Sequence, residues 1–305
     1  MDYILETQGL TKVYGSKEAC KDVDLHIREG EIYGLIGRNG AGKTTIMRMI
    51  SGLSRPTRGS YSIFGKTGFE LGKMLKNVGV LIEHPGLYPR LSAYENLKIK
   101  CIGMGINKKG YVEEMLKLVG LENVDRKKGA GSYSLGMRQR LGIGLALIGD
   151  PKMIILDEPI NGLDPQGIVE VRETLSRLRD EKGITIMVSS HILDELSKIA
   201  NSYGVIHEGV LLDEFSAEEL HKRSGKYVVI RTDNNKAAIK VLESMDICNA
   251  VQEPDGSIRI DGEKDQTADM AKAIVNAGIS LSEIYLRTIS LEDYYLSMTG
   301  GAHNG

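Results

Sequence analysis

Short, almost wholly apolar runs alternate with stretches of helical spacing over the first two-thirds of the chain. EIYGLIG (31–37), KMIILDEP (152–159) and GITIMVSSH (183–191) carry β-branched residues with little polar alternation. That pattern predicts strands buried on both faces of a parallel sheet. GIVEVRETLSRLRDEKG, which separates the last two, has helical spacing and ends in glycine, so it closes a strand–helix–strand unit. From about 92 to 149 the spacing is mostly helical, in SAYENLKIKCIGMGI, KKGYVEEMLKLVG and SLGMRQRLGIGLALIG, a helical insertion between two sheet strands. GVLIEHPGLYP (79–89) reads as a further strand whose apolar run stops at Glu83.

A second pattern begins near Gly225. KYVVIRT predicts a strand, and NNKAAIKVLESM a helix with an asparagine cap. ICNAVQE, the turn PDG and SIRIDG make a hairpin. TADMAKAIVNAG is a helix with Thr267 as its cap and Gly278 as its stop, ISLSEIYLRT a last strand, and SLEDYYLSM a helix opened by Ser290 and Asp293. The order βαββαβ predicts a small ferredoxin-like domain, and no catalytic cluster falls in it.

Composition narrows the classes. A chain of 305 residues accommodates two domains, or one large one with an appendage, and 41% apolar residues supply a core. The net charge of −2, with Lys and Arg dispersed, gives no electrostatic case for nucleic acid. Three cysteines, Cys20, Cys101 and Cys248, lie far apart, which points to a reducing compartment rather than a disulfide framework. The start MDYILETQGL lacks the features of a signal peptide, and no stretch approaches the ~18 apolar residues that span a bilayer. A soluble, cytoplasmic protein is expected.

The decisive chemistry is GRNGAGKTT, Gly37 to Thr45, which satisfies G-x-x-x-x-G-K-[ST] between a predicted strand and a predicted helix. Gly37, Gly40 and Gly42 let the backbone curl so that successive N–H groups converge on phosphate, and the helix adds its positive end. Arg38, Asn39, Ala41 and Thr45 complete the loop. Lys43 reaches the β- and γ-phosphates, and Thr44 ligates Mg²⁺. Asp157 ends the apolar strand MIILD, where a carboxylate holds the metal directly or through water. Glu158 follows at once and is placed to orient water onto the γ-phosphate. His191 ends the next strand at the same sheet edge, where ligand groups gather; a lone histidine there is either a phosphate contact or structural. Glu83 is open between a solvated loop acid, a metal ligand and a general base.

These residues identify residues 1 to about 220 as resembling the nucleotide-binding subunit of an ABC transporter. GEIYGLIGRNGAGKTT is similar to that family's phosphate loop, LDEPINGLDP to its acidic strand end and D-loop with Asp164, and VSSH to its switch histidine. Tyr14 matches the aromatic residue that stacks on adenine. SYSLGMRQR (132–140) falls where the family carries its signature, with Ser134 and Gly136 kept and Leu135 in place of a glycine; Tyr133 and Met137 also depart. The resemblance implies a P-loop NTPase ABC cassette: a mostly parallel α/β core sheet, an antiparallel β subdomain and the helical insertion. It implies ATP and Mg²⁺ as cofactors, Glu158, His191 and Lys43 as catalytic groups, and a head-to-tail homodimer in which Ser134, Leu135 and Gly136 serve the other copy's nucleotide. Glu83 takes the Q-loop position, normally glutamine, as a metal-proximal residue beside the contact with the membrane partner. Glutamate there, and the ending SLEDYYLSMTGG, resemble the bacitracin and lantibiotic exporter subgroup. The expectation is an ATPase energising a separate transmembrane permease, peripheral on the inner face of the membrane, for peptide-antibiotic export. A non-transport soluble ABC ATPase, or export of a lipid or polar solute, is the alternative.

Overall fold

Continuous burial of the apolar runs organises the first of two units, Met1–Ala217 and Glu218–Gly305. The computed structural model describes residues 3–223, 226–262, 266–288 and 290–300; the unit boundary expected at Gly225 falls outside them. The first unit opens with strands β1 (Tyr3–Tyr14), β2 (Lys17–Val23), β3 (His26–Arg28) and β4 (Ile32–Ile36), then helix α1 (Lys43–Ile50). β5 (Arg58–Ile63), α2 (Gly68–Met74) and β6 (Val78–Leu81) follow. Next come three helices, α3 (Ala93–Gly103), α4 (Tyr111–Leu118) and α5 (Leu135–Leu147). β7 (Met153–Leu156), α6 (Pro165–Lys182), β8 (Thr185–Ser190) and the single turn α7 (Leu193–Leu196) lead to β9 (Ser202–His207) and β10 (Val210–Ser216); α8 (Ala217–Arg223) starts at the boundary between the units.

Two sheets result. The larger has the order β10-β9-β4-β8-β7-β6, parallel throughout except for the β9–β10 pair. Every residue of β4, β7 and β8 is buried, which is why those segments show no polar alternation. The smaller is antiparallel: β1 pairs with β2, β3 and β5. One apolar cluster, including Leu5, Leu25, Leu35, Met47, Ile155 and Met187, joins both sheets to α1. β6 ends at Leu81, one residue short of the apolar run, where the Asp157 N–H just past β7 donates to the Leu81 carbonyl. α5 lies so close to β6 that a Cβ on Gly79 would sit 2.0 Å from the Ala146 carbonyl oxygen, so only glycine permits the packing.

The second unit contains β11 (Lys226–Thr232), α9 (Asn235–Glu243), β12 (Ala250–Gln252), β13 (Ile258–Asp261), α10 (Thr267–Asn276), β14 (Leu281–Thr288) and α11 (Leu291–Thr299). Its sheet runs β12-β13-β11-β14, all antiparallel, the split βαβ arrangement. Val228, Ile230, Ile258 and Ile260 pack with Leu242, Met270 and Ile274 of α9 and α10. Asn234 caps α9, and Ser290 with Asp293 forms a reciprocal capping box on α11. Thr267 is not a cap. Gln266 occupies that position of α10 without a side-chain bond, Thr267 is the first helical residue, and Ala277 ends the helix one residue before Gly278.

Two fully buried tyrosines couple the first unit to alkaline pH. Tyr33 on β4 donates to Glu214 Oε1 at 2.7 Å, and Tyr203 on β9 donates to the Ala200 carbonyl at 3.1 Å. Burial pushes the Tyr203 hydroxyl up to about 12, and burial plus the Glu214 charge raise Tyr33 well above 10.0. Both are neutral in the fold, so an unfolded chain, ionising near 10, sheds protons that the native one keeps. Stability is therefore full below pH ~10 and falls as pH climbs toward 12. Tyrosinate absorbance, unobscured because the chain has no Trp, should show these two hydroxyls ionising only together with unfolding.

Candidate nucleotide site

The end of β4 turns directly into α1. Gly42 caps that helix at φ 109, a conformation L side chains rarely adopt, and a Cβ there would meet the Ala19 carbonyl oxygen at 2.7 Å. No side chain caps α1 and no acid lies in its first turn, so its N-terminal amides are available to an anion. A concavity of ≈ 420 Å³ opens there, lined by Tyr14, Lys17, Ala19, Arg38, Asn39, Gly40, Gly42, Lys43, Thr44, Thr45 and Glu158. That volume is in the range of small-molecule sites. Gly37 and Ala41 stand behind the rim. The Gly37 carbonyl accepts from Lys43, and Ala41 is buried with its carbonyl accepting from the Gly209 N–H. Tyr14 is half exposed, its ring 5.0 Å from the Lys12 ammonium.

Lys43 is only 5% exposed. Its ammonium donates to the Gly37 carbonyl at 2.6 Å and lies 3.0 Å from Glu158 Oε1, an ion pair without hydrogen-bond alignment. The other Glu158 oxygen faces His191 Nδ1 at 2.8 Å. Glu158 itself has φ 49, a strained backbone for a non-glycine residue. Thr44 Oγ1 donates to Asp157 Oδ2 at 2.7 Å. The structure thus brings together five residues expected from sequence, drawn from the ends of β7 and β8 and the start of α1. It adds one that sequence reasoning missed. Ser189, fully buried on β8, donates to Asp157 Oδ1 at 2.6 Å and accepts from the Glu158 N–H at 2.9 Å. Its only signal was a hydroxyl inside an apolar run, two residues before a histidine.

Among the described residues no cluster of three or more His, Cys, Asp or Glu is arranged as a metal cage. One hydroxyl and one carboxylate, Thr44 and Asp157, are nevertheless a fitting donor set for a hard cation that keeps its waters and takes phosphate oxygens.

The remaining expected residues lie outside the concavity. Ser134 caps α5, accepting from the Met137 N–H at 3.2 Å, and Asp164 caps α6, accepting from the Gly167 N–H at 3.1 Å. The two helix starts adjoin: a Cβ on Gly136 would lie 3.4 Å from Gly167, and one on Gly162 would lie 3.5 Å from Leu135. Tyr133, the aromatic departure from the signature, is buried. Its hydroxyl accepts from the Ala93 N–H at 3.0 Å and donates to the Lys128 carbonyl at 3.1 Å, bolting this segment to α3. Glu83 has φ 64 and is 60% exposed, its carboxylate 2.6 Å from Arg48 Nη2 on α1, a partner the sequence did not announce.

A family model described as "ABC transporter" matches residues 20–161. The bacitracin transport ATP-binding protein BcrA of Bacillus licheniformis is 43% identical over 307 residues, covering 100% of both chains. Among solved structures, cbiO1 from Clostridium perfringens, described as part of the ABC transporter complex cbiONQ, superposes with a TM-score of 0.66 at 26% identity. It covers 80% of this chain and 96% of that one. A cassette solved as a dimer in a post-hydrolysis state with ADP and Pi gives 0.62 at 26% identity, over 70% and 98%. With such identity along its whole length, and with that loop and acid-ended strand in place, the chain belongs to the ABC transporter family as an ATP-binding, ATP-hydrolysing subunit.

Proposed function

We propose that this subunit binds ATP with Mg²⁺, closes head to tail on a second copy around two nucleotides, and energises a separate membrane permease that exports a peptide antibiotic. The observation that carries the reading is Lys43, a buried ammonium at the phosphate loop whose carboxylate partner, Glu158, also holds His191. A phosphate arriving at the loop competes for that ammonium and frees one Glu158 oxygen to orient water. Lys43 and the loop amides then stabilise charge on the transferring phosphoryl group, while His191 steadies Glu158 and senses the γ-phosphate. Tyr14 offers its exposed ring to the adenine. Thr44 and Asp157 would hold Mg²⁺, which neutralises phosphate charge when bound.

Head-to-tail pairing is supported by the position of Ser134, Leu135 and Gly136, outside the chain's own nucleotide concavity and at a helix start. The cassette solved as a dimer with ADP and Pi is of similar fold. A permease contact is supported by a ≈ 660 Å³ groove, mostly apolar, whose lining includes Leu81, Ile82, Pro85, Tyr88, Ile99 and Met104, immediately beside Glu83. No helix among the described residues is long and apolar enough to cross a membrane, so attachment to the inner face falls to the permease. The peptide-antibiotic cargo is supported by the full-length likeness to a bacitracin transport ATP-binding protein.

Lys43→Ala should weaken nucleotide binding itself by at least about tenfold, whereas Glu158→Gln should bind ATP normally and lose turnover by about a hundredfold or more. The glutamine variant should also accumulate as an ATP-bound dimer; equilibrium binding, phosphate release and size-exclusion chromatography separate the three outcomes.

Glu83→Gln should keep most Mg²⁺-dependent ATPase activity, and Glu83→Ala should hydrolyse ATP without driving transport. Paired ATPase and export assays in the presence of the permease check this, and identical behaviour of the two variants would remove Glu83 from the metal's surroundings.

Cells carrying the subunit and its permease should tolerate a peptide antibiotic of the bacitracin class better than cells carrying Glu158→Gln. Equal tolerance, with ATPase activity intact, would point to another cargo.

A further inference from the structure

The end of β8 holds two serines with different occupations. Ser190 Oγ accepts from the Ile192 N–H at 2.9 Å and serves only its own turn. Ser189 is fully buried, and both of its hydrogen bonds go to the acidic end of β7. A buried hydroxyl must be satisfied, and one donor plus one acceptor here satisfies two consecutive residues at once. Its proton goes to Asp157 Oδ1, which leaves Oδ2 turned to Thr44. Its lone pair receives the Glu158 N–H, and this pins the left-handed backbone that aims the Glu158 carboxylate between Lys43 and His191. Valine or alanine at 189 would satisfy the burial pattern of the strand and supply neither bond.

We infer that Ser189 is a positioning residue for hydrolysis: its hydroxyl sets which Asp157 oxygen faces the metal and fixes the backbone from which Glu158 acts. The inference rests on the reading of Thr44 and Asp157 as the metal's protein ligands. It assigns Ser189 no contact with nucleotide.

The test compares Ser189→Ala, Ser189→Thr and Ser189→Cys with the parent, and uses Ser190→Ala as a strand control. A fluorescent ATP analogue is titrated with and without Mg²⁺, and kcat, KM for ATP and thermal melting are measured alongside. Ser189→Ala should bind the analogue like the parent without Mg²⁺ but lose about tenfold or more of the gain that Mg²⁺ confers, the usual scale for a group that orients a metal ligand. Its kcat should fall about ten- to a hundredfold, and KM for ATP measured with Mg²⁺ should rise in step with the lost Mg²⁺ gain. Threonine, which keeps the hydroxyl, should restore both; cysteine, similar in size but a weak hydrogen-bonder, should not. Ser190→Ala should match the parent.

A Ser189→Ala protein with the parent's Mg²⁺ gain and kcat would overturn the inference. So would a loss of kcat matched by lower melting and weaker Mg²⁺-free binding that threonine fails to repair. If the alanine protein does not fold, the cysteine protein decides: parental Mg²⁺ gain overturns the assignment, and its loss supports it. A parent that shows no Mg²⁺ gain at all, or one left unchanged by Thr44→Ala, would sink the metal reading and with it the Asp157 half of the inference. The kcat of Ser189→Ala and its rescue by threonine would then decide the Glu158 half.

Discussion

A buried ammonium needs partners, and the first unit is arranged to supply them for Lys43. Removing that charge from water is costly unless it is paired. The Gly37 carbonyl and Glu158 meet the need from just beyond the ends of β4 and β7. Both partners are available only because β4, β7 and β8 run parallel and end at the same edge, with Ile36 beside Ser190 and Leu156 beside Val188. Continuous burial of those three strands holds the edge rigid, so the apolar runs and the polar cluster are one construction. A register slip of one residue would turn every side chain of a strand to the opposite face and scatter the acids.

The elements most legible in the sequence were those with a single dominant cause. KMIILDEP and GITIMVSSH read as buried parallel strands because their centres are almost continuously apolar, and they lie there as β7 and β8. Asn234 and the Ser290–Asp293 pair read as caps because their side chains compete for amides at helix starts, and both do so. Thr267 is also a capping residue type, but it stands one position too late, inside the helix, and Gln266 takes the cap position without a side-chain bond. β1, β2, β3 and β5 received no individual prediction, because they form a half-exposed antiparallel sheet whose pairing depends on partners far along the chain.

The site divides the same way. Lys43, Thr44, Asp157, Glu158 and His191 were visible because each sits where a buried strand gives way to a turn or a helix start. Ser189 and Arg48 were not, since a serine in a strand and an arginine on a helix have no local signature. Their roles exist only once β8 lies beside β7 and α1 lies near the turn after β6. Tyr133 shows the complementary effect: read only as a departure from the signature, it is a buried strut whose hydroxyl links the loop to α3.

Glu83 shows how charge can change a position without changing its place. A glutamine there would offer a neutral oxygen; the glutamate carries a full charge at φ 64 and takes Arg48 as its counter-ion. Both groups are substantially exposed, so the pair adds little stability, on the order of 0–1 kcal/mol. A contact that weak is easily exchanged for a stronger electrostatic partner, and Arg48 projects from the same helix whose first turn carries Lys43 and Thr44. The groove beginning at Ile82 and His84 lies beside the same turn. The pair therefore links the helix that carries Lys43 and Thr44 to the turn bordering an apolar groove, at little gain in stability.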